Sequence, residues 1–142
     1  MNNQDCIFCK IVAGEIPCFK IYETENVLSF LDIGPVNKGH ALVIPKVHYE
    51  NIWDMPADLG KDIITAAQLA GDAIVKATGA DGMNLLMNNN EAAGQLVFHA
   101  HFHIIPRFAE DGLKHWDQME YNDMDEALAL AQKIEKMIKR IN

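Results

Sequence analysis

Short apolar runs separated by turn-forming clusters divide the chain into candidate elements. Cys18 to Tyr22 and Val27 to Leu31 read as two strands joined by a hairpin loop at Glu23-Thr24-Glu25-Asn26. Asp32-Ile33-Gly34-Pro35-Val36-Asn37-Lys38-Gly39 is rich in turn formers and reads as a loop. Ala41 to Ile44 is apolar and β-branched, a buried strand closed by Pro45. Pro56 suits a first helical turn, and Leu59, Ile63, Ala66, Ala70, Ala73, Ile74 and Ala77 then recur at helical spacing until Gly79. Met83 to Met87 is a further strand, followed by a loop from Asn88 to Gly94. Val97 to Ile105 reads as the next strand, ended by Pro106. A last helix is predicted from about Met124 to Ile141. Its apolar stripe is Leu128, Ala131, Ile134, Ile138 and Ile141, and Lys136, Lys139 and Arg140 favour its C-terminal end. Near the N-terminus, Asp5 can cap a short helix through Ile11 or Val12 that Gly14 stops.

Strands and helices do not alternate regularly. That order predicts an α+β fold: a mostly antiparallel sheet of about five strands with packed helices and a C-terminal helix. The 142 residues suit a single domain over 1–142. A chain of this length buries roughly two-thirds of its unfolded surface and needs no disulfides. Apolar residues at 49% and charged residues at 23% are ordinary for a folded domain.

Charge and targeting signals narrow the picture. A net charge of -8 argues against a broad nucleic-acid footprint, which leans on Lys and Arg. A small anionic ligand remains open, because local N–H groups and imidazoles suffice for it. No run is long and apolar enough to cross a membrane. Met1-Asn2-Asn3-Gln4-Asp5 does not read as a signal peptide, so a cytoplasmic location is expected. The three cysteines are Cys6, Cys9 and Cys18, an odd count that argues against a disulfide framework. Cys6 and Cys9 form a C-x-x-C, which means metal, redox chemistry or coincidence.

The chemistry concentrates in His99-Ala100-His101-Phe102-His103. On a strand, positions i, i+2 and i+4 share one face with neighbours about 7 Å apart. Ala100, Phe102 and Ile104 then point to the core. Each imidazole can serve as nucleophile, proton donor or metal ligand. A neutral ring can attack phosphorus while its neighbours donate to oxygens or protonate a leaving group. A three-histidine metal site is the competing reading, though no acidic general base lies nearby in sequence.

His99-Ala100-His101-Phe102-His103-Ile104-Ile105 resembles the His-φ-His-φ-His-φ-φ signature of the histidine-triad (HIT) superfamily of nucleotide hydrolases and transferases. The resemblance extends to Ile7-Phe8-Cys9-Lys10-Ile11-Val12, to Phe30-Leu31-Asp32-Ile33 with Pro35, to Gly39 through Lys46, and to Gly94-Gln95-Leu96-Val97-Phe98. It looks most like the bacterial Hint-type branch, which hydrolyses purine nucleoside phosphoramidates. By resemblance His101 is the nucleophile, His103 contacts phosphate and helps the leaving group, and His40 orients the triad. Asp32 accepts from the ribose hydroxyls, and Asn88 and Gln95 bind phosphate or leaving-group oxygens. Gly94 lets its backbone approach, and Ile7, Phe8 and Phe30 line an apolar slot for the base.

The resemblance also implies a structural zinc ion on Cys6, Cys9, His48 and His99, no redox cofactor, a purine nucleotide as ligand and a homodimer. Cys18 reads as a small buried hydrophobe. Eukaryotic relatives carry a serine where this chain has Leu96. Pro106-Arg107 also resembles dinucleoside-polyphosphate hydrolases, where Arg107 would meet a longer phosphate chain; the other reading of Arg107 is a side chain exposed at a strand end. A nucleotide-binding scaffold with little catalysis is a further alternative. Trp116, near His115, is expected to anchor the last helix or to contact a bulky leaving group.

Overall fold

The computed structural model describes residues 5–138. The chain divides after Asp111 into two compact units. The first holds helix α1 (Ile7–Val12), strands β1 (Lys20–Glu23), β2 (Val27–Leu31) and β3 (Ala41–Pro45), helix α2 (Leu59–Thr78), and strands β4 (Gly82–Met87) and β5 (Phe102–Arg107). The five strands form one sheet in the order β1-β2-β3-β5-β4, with every pair antiparallel. The second unit contains helix α3 (Met124–Ile138).

Both faces of the sheet centre are buried, which explains the continuous apolar runs of β2 and β3. Successive residues of a strand point to opposite faces. Val27, Ala41, Val43 and Ile104 pack against Ile63, Ala66, Ala67, Ala70 and Ile74 of α2. Leu28, Phe30, Leu42 and Ile44 pack on the other face with Cys6, Phe8 and Cys9 of α1. The small residues of α2 let the helix approach the sheet closely. A Cβ at Gly71 would stand 2.5 Å from Met83 Sδ. The helix spends Ala67 and Gly71 on the core, whereas Ala73 and Ala77, expected there, are exposed.

Most predicted elements are present, with instructive differences. The strand expected over Val97–Ile105 pairs only from Phe102, and it runs through Pro106 to Arg107. Upstream, His99 N–H turns back to Val97 O at 2.9 Å and Ala100 N–H donates to Tyr49 O at 2.6 Å. Those bonds replace a ladder, so His99 and His101 lie on an irregular segment. α1 has Cys6 at its N-cap without a side-chain cap bond, in place of the expected Asp5. Gly79 ends α2 in the left-handed conformation, as its position predicts.

α3 begins where the pattern placed it. Asp123 Oδ1 caps the Glu126 N–H at 2.8 Å, and Glu126 Oε2 accepts from Asn122 N–H at 2.7 Å. Its apolar stripe is not buried: Leu128, Ile134 and Ile138 are each more than half exposed. Ile141, with Lys139 and Arg140, lies outside the described residues. Among the described residues no helix is long and apolar enough to cross a membrane.

Candidate functional site

The end of the β2–β3 ladder brings two site residues together. Asp32 follows β2, His40 precedes β3, and Asp32 N–H donates to His40 O at 2.9 Å. Gly39 takes φ +97° just before His40, and a Cβ there would meet Thr78 Cγ2 at 2.8 Å. Glycine is therefore the residue that fits this corner. Across the sheet, Leu42 of β3 faces His103 of β5. His40 lies two positions before Leu42 on the same face, so the His40 and His103 rings meet with centroids 5.1 Å apart.

Hydrogen-bond partners that can play only one part assign the tautomers. A backbone N–H only donates and a carbonyl only accepts. Val36 N–H donates to His40 Nδ1 at 3.2 Å, so the His40 hydrogen sits on Nε2. His40 Nε2–H then donates to His103 Nδ1 at 2.9 Å, which leaves the His103 hydrogen on its own Nε2. His101 Nδ1–H donates to His99 O at 2.7 Å, so His101 Nε2 carries the lone pair. Neighbouring rings, with centroids 5.0 Å apart, thus hold opposite tautomers.

Burial holds these rings neutral. It lowers His40 and His101 below the usual imidazole value, more than the Asp32 carboxylate raises them; His99 O supports the charged form of His101 without reversing the shift. His103 falls to about 4, first through burial and then through His101 and His40. Asp32 Oδ1 accepts Gly34 N–H at 2.8 Å, capping its own turn, and Oδ2 lies 3.7 Å from His40 Nε2.

These groups open onto a cavity of about 510 Å³. Ile7, Phe8 and Phe30 are among its lining residues. Phe8 meets Phe30 edge-on at 5.9 Å and His101 at 5.3 Å. Asp32, His40, His101 and His103 share the lining with Asn88 and Gly94. Asn88 Nδ2 donates to Gly94 O at 3.4 Å, and Gly94 takes φ +87°. Ile16, Pro17 and Val97 also line the cavity. They sit in irregular segments, where no periodicity marks them.

Four expectations need correction. Gln95 is 1% exposed, does not line the cavity, and spends its amide on the backbone: Asn90 N–H donates to Oε1 at 2.7 Å, and Nε2 donates to Glu50 O and Val97 O. It shapes the loop, and its side chain has no face left for a phosphate. Arg107 is held by both oxygens of Asp111 at 2.7 and 3.0 Å and by Asn84 Oδ1 at 2.7 Å, away from the cavity. A longer phosphate chain would have to break that bidentate pair. Cys18 is half-buried on the cavity wall. Trp116 is 80% exposed, so the anchoring of the last helix expected of it is not seen.

Cys6, Cys9, His48 and His99 converge on the face of the sheet that carries α1, with their ligand atoms within 4.8 Å of one another. His99 Nδ1 lies 3.5 Å from Cys6 Sγ, 3.6 Å from Cys9 Sγ and 3.2 Å from His48 Nδ1, and Cys9 Sγ lies 3.4 Å from His48 Nδ1. A tetrahedral zinc ion with ordinary Zn–S and Zn–N bonds sets its ligands about 3.5 Å (S to N) and about 3.3 Å (N to N) apart. The donor set fits that ion. His99 Nε2–H donates to Pro45 O at 2.9 Å, so its lone pair faces the cysteines. Burial lowers the His99 pKa to about 4, keeping the ring in its ligating form. Asp32, His40 and His103 also cluster closely enough for a metal, but the His40 hydrogen lies on the nitrogen that would have to ligate.

The HIT domain model matches residues 13–110. The chain is 50% identical over 110 residues to adenylylsulfatase HINT3 of Arabidopsis thaliana, a match that covers 78% of this chain and 56% of that longer protein. It is 46% identical over 108 residues to adenosine 5'-monophosphoramidase hnt1 of Schizosaccharomyces pombe, covering 76% and 78% of the two chains. The fold superimposes on a HIT family protein from Bacillus subtilis with a TM-score of 0.87 at 44% identity, covering 94% and 96%. A Zn-bound histidine triad family protein from Mycobacterium smegmatis gives a TM-score of 0.74 at 37% identity, covering 93% and 97%. With its triad, its five-stranded antiparallel sheet and these matches in agreement, the chain belongs to the HIT domain family.

Proposed function

We propose that the protein is a nucleotide hydrolase that cleaves purine nucleoside 5′-phosphoramidates through a nucleotidyl-histidine intermediate. The observation that carries this reading is the opposite tautomers of His101 and His103. His101 Nε2 has the lone pair and attacks phosphorus, and the P–N bond breaks. His103 keeps its hydrogen on Nε2, where it serves a phosphoryl oxygen or the departing nitrogen. Water then cleaves the N–P bond to His101 and releases the nucleoside monophosphate. His40 acts through His103 as a positioning residue. Asp32 accepts from the ribose hydroxyls with the lone pairs that Gly34 leaves, while Ile7, Phe8 and Phe30 hold the base. Asn88 and the Gly94 backbone border the phosphate. The names of the relatives from Schizosaccharomyces pombe and Arabidopsis thaliana support an attack at the α-phosphate.

Dinucleoside polyphosphates are the second reading, and the engaged Arg107 gives them no cation. A scaffold role leaves the lone pair on His101 without a use. A structural zinc ion on Cys6, Cys9, His48 and His99 belongs to the proposal. When bound it ties α1 to the segment that carries the triad. The odd number of cysteines, none in a disulfide among the described residues, accords with a reducing, cytoplasmic setting. We also assign a second copy of the chain to the edge strand β4, which exposes Met83 and Leu85, and to Ile64 and Leu69 of α2.

Hydrolysis of adenosine 5′-phosphoramidate tests the central claim: wild type turns it over, and a folded His101→Ala variant loses about a thousandfold or more. No turnover by wild type would sink the reading. The pH profile carries its own sign. Because burial lowers His101 below 6.5, the nucleophilic neutral form persists into acid. kcat/KM should therefore stay level as pH falls through 6.5 and drop only below it; a midpoint above 6.5 would contradict the buried neutral ring. Elemental analysis should return one zinc per chain, lost in Cys9→Ser together with several degrees of thermal stability. A metal-free wild type of unchanged stability would refute the zinc assignment. Sedimentation should return the mass of two chains, and of one chain for Leu85→Asp; a monomeric wild type would remove the dimer.

A further inference from the structure

The cavity is lined by apolar side chains of α1 and β2, by the histidines, and by Asn88, Gly94, Leu96 and Val97 of the loop that follows β4. On that loop Leu96 lines the cavity yet is 90% exposed. A large aliphatic side chain held in the open needs a structural cause, and the chain on either side supplies it. Gln95 turns wholly inward and is locked by Asn90, Glu50 and Val97, while Gly94 reverses the chain at φ +87°. In an extended segment adjacent side chains point to opposite sides, so a buried Gln95 presents Leu96 at the mouth.

The charge around the mouth is equally uneven. Among the described residues no Lys or Arg lines the cavity, and Asp32 is its one acidic side chain. An anionic group beside this wall finds no cation to pair with. An apolar substituent laid on Leu96 removes surface from water and is stabilised.

We propose that Leu96 is a specificity-determining residue that selects a neutral, apolar amine as the leaving group over an anionic one such as sulfate. This rests on the phosphoramidate reading above. With the base on Ile7, Phe8 and Phe30 and the phosphate bordered by Asn88 and Gly94, a group departing opposite His101 passes the neighbouring Leu96. Leu96 meets that group and takes no part in the chemical step.

The test compares kcat/KM for three substrates: adenosine 5′-phosphoramidate, its N-benzyl derivative and adenylyl sulfate. Wild type prefers the N-benzyl compound. Leu96→Ser lowers the ratio of N-benzyl to unsubstituted turnover by about tenfold, as expected for lost apolar contact in a specificity pocket. Leu96→Lys raises the ratio of adenylyl sulfate to N-benzyl turnover by about tenfold, by supplying the missing cation. Leu96 is exposed, so both variants leave the core intact. Unchanged ratios in both variants, or a wild-type preference for adenylyl sulfate, would overturn the proposal. Absence of turnover on all three by folded wild type would overturn the hydrolase reading itself, and this inference with it.

Discussion

The arrangement of the site depends on one buried imidazole, His99. It is fully buried and lies on a segment that belongs to no helix or strand. Such a segment needs other anchors, and His99 provides them. Its Nε2–H reaches Pro45 O at the end of β3, its Nδ1 faces Cys6, Cys9 and His48, and its main-chain oxygen holds His101 Nδ1–H. One residue thus connects α1, β3 and the nucleophile candidate. Each hydrogen bond contributes only about 1 kcal/mol net, but an orphaned partner costs more, so the set stands or falls together.

Main-chain groups fix the hydrogen on two of the rings, and the first of those rings fixes it on the third. Val36 N–H fixes His40, His40 fixes His103, and a carbonyl fixes His101. The Val36 amide and the His99 carbonyl do not titrate, so these two main-chain anchors hold at any solution pH, and the pattern persists while the rings are neutral. Substituting a side chain near the site leaves the Val36 amide and the His99 carbonyl in place. The difference between His101 and His103 is therefore a property of the fold, and it exists before any ligand enters.

Where the physics is periodic, the elements are readable from the sequence. β2 has the predicted bounds and β3 extends one residue further, because their residues are buried on both faces and none is polar save Ser29. α2 announced itself through alanine and isoleucine at helical spacing. The triad was legible as a motif, but its strand was not. Val97 and Phe98 favour a strand, and a three-residue turn with a bond to Tyr49 O overrides that preference. Gln95 and Arg107 misled for one reason: a polar side chain signals need of a partner without saying which. Gln95 found backbone and Arg107 found Asp111. The stripe of α3 likewise shows a face suited to burial, while Leu128 and Ile134 remain exposed.

The same burial that neutralises the rings limits how much charge the site can hold. His40, His101 and His103 form a chain with centroids 5.1 and 5.0 Å apart. A proton placed on one disfavours a proton on the next, which is why His101 and His40 contribute to lowering His103. The carboxylate of Asp32 is the one acidic side chain on the cavity wall, and its field favours the first proton to enter. A second added proton is therefore resisted more strongly than a first.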